Sequence, residues 1–160
     1  MRWLKNGEAV DLEGYTVSGA DPGLTMGMNV FETLRTYDGR IFRLDAHLGR
    51  LRNSASVLGI PWPGDQVIAS ELRRASQGLA LEVGVRVTLT GGGARLVSAT
   101  PLDTSIVERP IRVATRAWEP PSWLDARVKH GSRAFSEVAR QSAGTDEIFW
   151  VGRDGLFTEA

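Results

Sequence analysis

Apolar and polar residues alternate along much of the first forty positions, which is the spacing of short half-buried strands. The Asn-Gly pair at 6–7 stands between short apolar pairs and predicts a first hairpin. Residues 28–37 (MNVFETLRTY) read as a longer strand, and the Asp-Gly pair at 38–39 predicts a turn into a returning strand at 40–44.

Helical spacing replaces this alternation after residue 44. Asp45 is a suitable capping residue for a helix, and apolar residues follow at intervals of three and four: Leu48, Leu51, Ala55 and Leu58. Gly59 and Pro61 are expected to end this helix. A second helix is predicted from residue 64 or 65 to residue 77.

The next segment predicts another hairpin. Residues 83–90 (VGVRVTLT) alternate with β-branched side chains, and three glycines at 91–93 lead into a strand at 95–99. The glycines lack the spacing of a phosphate-binding loop and open no helix, so we interpret them as the hairpin turn. A polar stretch at 101–108 then predicts a boundary between domains at 1–105 and 106–160.

The last third predicts a strand at 111–115, a helix at 131–143 and a closing hairpin that pairs Glu159 with Glu147. Strands grouped before and after helices indicate an α+β fold with mainly antiparallel pairing. Because the sequence stops just after its last strand, we expect either a fragment or another segment covering that edge.

Composition narrows the possible functions. The formal net charge is zero and no run of like charges occurs, so there is no electrostatic basis for binding nucleic acid or an anionic membrane. The absence of cysteine excludes disulfides and thiolate chemistry, and two histidines offer little for a metal site. No apolar run is long enough for a bilayer, so a cytoplasmic protein is predicted.

Three side chains are candidates for chemistry. Of the nineteen basic residues only Lys5 and Lys129 are lysine, and an amine can attack a carbonyl whereas a guanidinium cannot; chance retention in an arginine-rich chain is the alternative. Arg50 flanks the apolar stripe of the first long helix and could bind an anion such as phosphate, or simply reach solvent. Glu159 could serve a lysine-derived imine, or lie in solvent at the chain end.

Several segments together resemble the class IV family of pyridoxal-phosphate enzymes, which includes branched-chain and D-amino-acid aminotransferases and aminodeoxychorismate lyase. The matching segments follow one another in the family's order: residues 26–35 (MGMNVFETLR), 39–51 (GRIFRLDAHLGRL), 128–129 (VK), 146–148 (DEI) and 154–159 (DGLFTE).

The resemblance implies a two-domain α+β fold like that of D-amino-acid aminotransferase, assembled as a homodimer. It implies that Lys129 holds pyridoxal 5'-phosphate as a Schiff base and carries a proton between the substrate Cα and the cofactor. It further implies that Arg50 binds the cofactor phosphate and that Glu159 hydrogen-bonds the pyridine nitrogen. Family members continue beyond the Thr-Glu pair, so we expect the C-terminal domain to be incomplete here, with a separate C-terminal fragment as a possible partner.

The reaction itself stays open between two members of the family. The Lys-His-x-x-Arg order that ends at Arg133 resembles the lyases, and Thr33 falls where those enzymes carry a threonine that assists catalysis. Phe31 and Arg133 would line the substrate pocket. We expect an aminotransferase acting on an amino acid and a 2-oxo acid, with a lyase that forms 4-aminobenzoate and pyruvate from aminodeoxychorismate, or a non-catalytic dimerising remnant, as alternatives.

Overall fold

The computed structural model describes residues 1–106, 109–119 and 121–159, apart from the side chains of Ile106 and Glu159. The chain divides into two compact units. The first contains Met1–Thr104 together with Arg127–Gly131, and the second contains Ser105–Ala126 and Ser132–Ala160. The sequence-based division into domains 1–105 and 106–160 stays a prediction, and the segment that carries Lys129 lies in the first unit.

The first unit is built on a six-stranded antiparallel sheet in the order β2-β1-β6-β5-β3-β4. Its strands are β1 (Arg2–Lys5), β2 (Glu8–Val10), β3 (Asn29–Tyr37), β4 (Arg40–Ile41), β5 (Val83–Thr90) and β6 (Arg95–Pro101). In both the 6–7 and the 38–39 turn the two central residues have positive φ, as hairpins joined by two residues require. The predicted hairpins are therefore present, although the returning strand after residue 39 is only two residues long.

Two long helices, α2 (Leu44–Val57) and α3 (Asp65–Ser76), follow a short α1 (Pro22–Thr25). Leu48, Leu51 and Ala55 are buried, which confirms the apolar stripe of α2. The predicted cap was wrong: Asp45 lies inside the first turn, and the residue before the helix is Arg43 in the left-handed conformation with φ 48°. Among the described residues no side chain forms a capping hydrogen bond at this end of the helix.

Side chains on one face of the sheet form much of the buried core. Val83, Val85, Val87 and Leu89 of β5 are all buried, and the last three lie opposite Leu34, Glu32 and Val30 of β3. Because alternate residues of a strand point to opposite faces, Glu32 occupies a core position between Val30 and Leu34. A carboxylate in that position needs partners, which α2 supplies.

Asp21, which precedes α1, connects the segment that leads into β3 to the triple-glycine turn by hydrogen bonds. Its carboxylate accepts hydrogen bonds from Gly23 N at 2.7 Å, Gly92 N at 3.0 Å and the Thr90 hydroxyl at 2.6 Å. Burial alone would raise the pKa of Asp21, but these three hydrogen bonds outweigh it and hold the pKa below its ordinary value. Asn29 continues the connection, since its side-chain amide donates to Gly23 O at 3.2 Å.

Among its described residues the second unit has a three-stranded sheet, in the order β7-β8-β9, and one α-helix. These are β7 (Val113–Ala117), α4 (Ala134–Ala143), β8 (Glu147–Val151) and β9 (Phe157–Glu159). β7 and β8 are parallel, whereas β8 and β9 are antiparallel. Strand β7 begins two residues later than predicted, and helix α4 begins three residues later.

The predicted pairing of Glu159 with Glu147 was wrong. Glu159 lies opposite Trp150, because a five-residue connection and a bulge at Trp150/Val151 shift the register, and Glu147 pairs with Val113 instead. Within the described residues no helix has the length and apolar character that crossing a bilayer requires.

Candidate active site

Lys129 is held against the first residues of β3 by its backbone. Its carbonyl accepts a hydrogen bond from Phe31 N at 3.1 Å, and two residues later Gly131 N donates to Asn29 O at 3.0 Å. The intervening His130 forms an antiparallel bridge with Val30. The lysine segment thus adds a short piece of strand to the edge of β3 that β4 does not reach.

The Lys129 amine lies beside an aromatic ring. Its Nζ is 4.8 Å from the centre of the Phe31 ring, and the guanidinium carbon of Arg86 is 3.7 Å from the same ring. Thr33 lies two residues along β3, so it shares the face of Phe31, and its side chain is exposed. Lys129 itself is half-buried.

Glu32, on the opposite face of β3, is the centre of a buried polar cluster. It is only 1% exposed and accepts hydrogen bonds from Arg50 Nε to Oε1, from Arg50 Nη2 to Oε2 at 2.6 Å, and from His47 Nδ1 to Oε2 at 2.8 Å. The hydrogen bond to Glu32 raises the pKa of Arg50 above its ordinary value, so Arg50 is a cation at all physiological pH values. The anion that Arg50 faces in the structure is therefore part of the chain.

Arg50 still has donors to offer a second anion. A guanidinium has five N–H groups, and Glu32 takes one from Nε and one from Nη2, so three remain. The side chain is 48% exposed and lines a cleft with Arg43, Ala46 and His47. Two guanidinium groups in one cleft are the donor set that a phosphate group requires. The side chains present therefore fit the phosphate of a pyridoxal cofactor.

Ser54 connects α2 to the lysine segment. Its hydroxyl is fully buried and accepts a hydrogen bond from Lys129 N at 3.0 Å. Ser54 follows Arg50 by four residues, so both lie on one side of α2, about 6 Å apart along its axis. One helix face thus contacts both the lysine segment and the carboxylate that holds Arg50.

The first unit contains Lys129, Phe31 and Thr33 on β3 and its edge, and Arg50 on the adjoining helix, where it bonds Glu32 on the other face of β3. Glu159 and Arg133 belong to the second unit. Glu159 is the last residue of β9, and Arg133 precedes α4, where its carbonyl accepts from Glu137 N. The roles expected of these residues stay predictions. In the described part of the chain no group of three or more potential ligands is arranged to hold a metal ion.

Sequence reasoning missed Glu32 and Ser54. Glu32 carried a readable signal, because a charged residue in the buried register of a strand predicts a cationic partner on the facing helix. Ser54 carried a weaker one, since it lies beside the apolar stripe of α2. Its partner is 75 positions away in the sequence, and no local pattern specifies that pairing.

Comparison with known proteins places these features in a family. Residues 29–160 match the family model described as amino-transferase class IV. A putative branched-chain-amino-acid aminotransferase of Methanocaldococcus jannaschii is 28% identical over 99% of this chain and 62% of its own length. A putative aminodeoxychorismate lyase of Schizosaccharomyces pombe is 42% identical over 48% of this chain and 32% of its own length. The chain thus spans less than two thirds of these relatives.

Solved structures agree with the sequence comparison. The pyridoxal-phosphate-bound form of a hypothetical aminotransferase from Mycobacterium tuberculosis superposes with a TM-score of 0.85 at 22% identity, over 98% of this chain and 64% of that one. A fold IV transaminase from Curtobacterium pusillum gives a TM-score of 0.84 at 26% identity, over 99% of this chain and 66% of that one. The α+β fold expected from the sequence is confirmed, and the chain belongs to the class IV aminotransferase family.

Proposed function

We propose that this chain supports the transfer of an amino group between an amino acid and a 2-oxo acid, with Lys129 as the covalent attachment point of pyridoxal 5'-phosphate. One observation carries the proposal: a lysine, one of only two in the chain, is fixed through its backbone N–H and C=O while its amine lies half-buried beside Phe31. A fixed backbone with a half-buried lysine side chain beside an aromatic ring suits covalent catalysis by lysine.

Bound pyridoxal phosphate would supply an aldehyde for the lysine amine and a ring that accepts electrons from the substrate Cα. Lys129 would hold the cofactor and move a proton between the substrate Cα and the cofactor C4′. Arg50 would bind the phosphate with the N–H groups that Glu32 leaves over. We assign Glu159 to the pyridine nitrogen, as the family resemblance implies.

The substrate side of the proposal concerns three further residues. Phe31 and Arg133 would line the pocket, the first as an apolar surface and the second as a partner for a carboxylate. Thr33 would contribute a hydroxyl near the reacting atoms, because it projects from the same face of β3 as Phe31.

The two lysines permit a direct test of the attachment point. Borohydride reduction after incubation with pyridoxal phosphate, followed by peptide mass spectrometry, should find the pyridoxyl group on Lys129. Lys129→Arg should abolish this label and the near-visible absorbance of the mixture. Lys5→Arg is the matched control and should leave both unchanged. A label on Lys5, or none on the wild-type chain, would refute the proposal.

A lyase reaction is the second candidate, and the 42% identity to the putative aminodeoxychorismate lyase of fission yeast favours it. The two reactions begin with the same loss of a proton from Cα and differ in the products. Amino transfer to a 2-oxo acid would identify an aminotransferase, whereas pyruvate and 4-aminobenzoate formed from aminodeoxychorismate would identify the lyase.

We further propose a homodimer as the active assembly, as the family resemblance implies. Sedimentation analysis of the purified chain should give twice the monomer mass.

A further inference from the structure

We propose that Ser54 is a positioning residue for Lys129: its buried hydroxyl fixes the lysine backbone so that α2 sets the placement of both Lys129 and Arg50. The inference rests on the proposed function, because it concerns the lysine to which the cofactor would be attached. It adds a residue that the expected roles of Lys129, Arg50 and Glu159 do not include.

The Lys129 backbone is hydrogen-bonded to both β3 and α2. The Lys129 carbonyl is bonded to Phe31 N. A regular antiparallel pair places the N–H of a residue on the same edge as its carbonyl, and here the Lys129 N–H donates to the Ser54 hydroxyl of α2. The Ser54 hydroxyl, at 3.0 Å, takes the place that a strand carbonyl would occupy. Without it a part-buried N–H would lose its acceptor.

The lysine segment is held by β3 as well as by Ser54. Backbone hydrogen bonds connect Lys129 and Gly131 to Phe31 and Asn29, which both belong to β3. Ser54 approaches the segment from a different element, α2, and contacts the Lys129 N–H. The Lys129 backbone is thus held from a helix as well as from a strand. The direction of the Lys129 side chain therefore depends on Ser54 as well as on β3.

Lys129 and Arg50 are connected through α2 and β3. Ser54 and Arg50 are one helical turn apart on α2, and Glu32 of β3 holds Arg50 by two hydrogen bonds. Phe31, the next residue of β3, receives the Lys129 segment. A closed set of contacts through one helix and one strand therefore fixes the span between the lysine and the arginine. A cofactor held covalently at one end and by its phosphate at the other requires a fixed span.

The test compares two buried helical serines. Ser54→Ala removes the acceptor, while Ser76→Ala is the control, because the Ser76 hydroxyl is also buried but donates only to Leu72 O and Arg73 O within α3. Ser54→Cys keeps the buried volume and weakens the acceptor, so it separates the hydrogen bond from packing.

Amide hydrogen exchange of the chain without cofactor is the first measurement. We expect Ser54→Ala to accelerate exchange at Lys129 by about tenfold, the effect of losing one buried hydrogen bond. Ser54→Cys should give a smaller acceleration and Ser76→Ala none at this amide. Exchange at Lys129 that equals the wild-type rate in Ser54→Ala, or a uniform acceleration that includes the core amide of Leu89, would overturn the inference.

Borohydride trapping of pyridoxal phosphate on Lys129 is the second measurement. Its initial rate should fall at least about fivefold in Ser54→Ala and stay at the wild-type value in Ser76→Ala. Faster exchange at Lys129 with unchanged trapping would show a hydrogen bond that does not position the amine, and would overturn the inference. Absence of trapping in the wild-type chain would instead refute the proposed function, and the exchange measurement would still decide whether Ser54 holds the lysine segment.

Discussion

Replacing Arg50 by alanine tests whether the buried Glu32 carboxylate depends on that arginine. Arg52 supplies the matched control, because it lies on the same helix and also contacts both oxygens of a carboxylate, Asp65, at 2.9 and 3.0 Å. The two pairs differ in burial. Arg52 and Asp65 are 54% and 42% exposed, whereas Glu32 is 1% exposed. Burial of the carboxylate should therefore decide the outcome.

The expected losses follow from that difference. An exposed pair contributes at most about 1 kcal/mol, so Arg52→Ala should lower the free energy of unfolding by about 0.5 kcal/mol. Leaving one member of a buried pair without its partner costs about 3–5 kcal/mol. Arg50 is itself half-exposed, so water can enter the space it leaves, and His47 still donates to Glu32. We therefore expect Arg50→Ala to cost about 2–3 kcal/mol.

Urea unfolding at neutral pH, followed by far-ultraviolet circular dichroism, measures both losses by linear extrapolation. The double variant Glu32→Gln with Arg50→Ala should lose less than the sum of the two single variants, by about 1–3 kcal/mol, because the uncompensated charge is then gone. Equal losses for Arg50→Ala and Arg52→Ala, or strict additivity with Glu32→Gln, would refute the reasoning from burial.

Three further predictions concern the frame around the lysine segment. Asp21→Asn should cost about 2 kcal/mol at neutral pH, because charged hydrogen bonds become neutral ones. Because the pKa of Asp21 lies below its ordinary 3.8, the difference in unfolding free energy between the two proteins should persist above pH 3.8 and disappear as the pH falls through the native pKa. Urea unfolding of both proteins along a pH series measures this difference. A difference that grows in acid would contradict the prediction. Gly131→Ala should detach the lysine segment from β3, because the added Cβ would overlap the Asn29 side chain. The rate of hydrogen exchange at Phe31 N should then rise, and an unchanged rate would contradict the prediction. Gly49→Ala places its Cβ in open space within α2 and should instead stabilise the chain by about 0.5–1 kcal/mol in the same unfolding assay, so a loss of stability would count against it.

Local signals predicted the elements that local chemistry determines. The Asn-Gly and Asp-Gly pairs supply the positive φ values of the two hairpins, so those turns could be placed to the residue. The apolar spacing of α2 located its buried face for a similar reason. The start of α2 could not be placed in this way. Arg43 adopts a left-handed conformation that its residue type does not favour, so the contacts of the folded chain must hold it there.

Local sequence patterns could not specify pairings between residues that are far apart along the chain. The position of Glu159 depends on the length of a loop and on a bulge, and its predicted partner was therefore three positions away from the observed one. Lys129 could be identified by its amine, but its place beside Phe31 depends on a bridge between Val30 and His130. Arg50 was expected to face a bound anion, and the structure supplies Glu32 as its first one.

The lysine segment joins its sheet late in the sequence, and this has a consequence for the synthesis of the chain. Residues 105–126 intervene between Thr104 and Arg127, so the first unit is not a continuous stretch of chain. On a ribosome, the strands and helices of residues 1–104 can pair as they emerge, but the start of β3 keeps one edge without its partner until residue 131 has left the exit tunnel. An unpaired strand edge is where a nascent chain associates wrongly with another chain. We therefore expect slow translation or premature release between residues 105 and 131 to yield aggregation-prone chains whose sheet has formed before the lysine arrives.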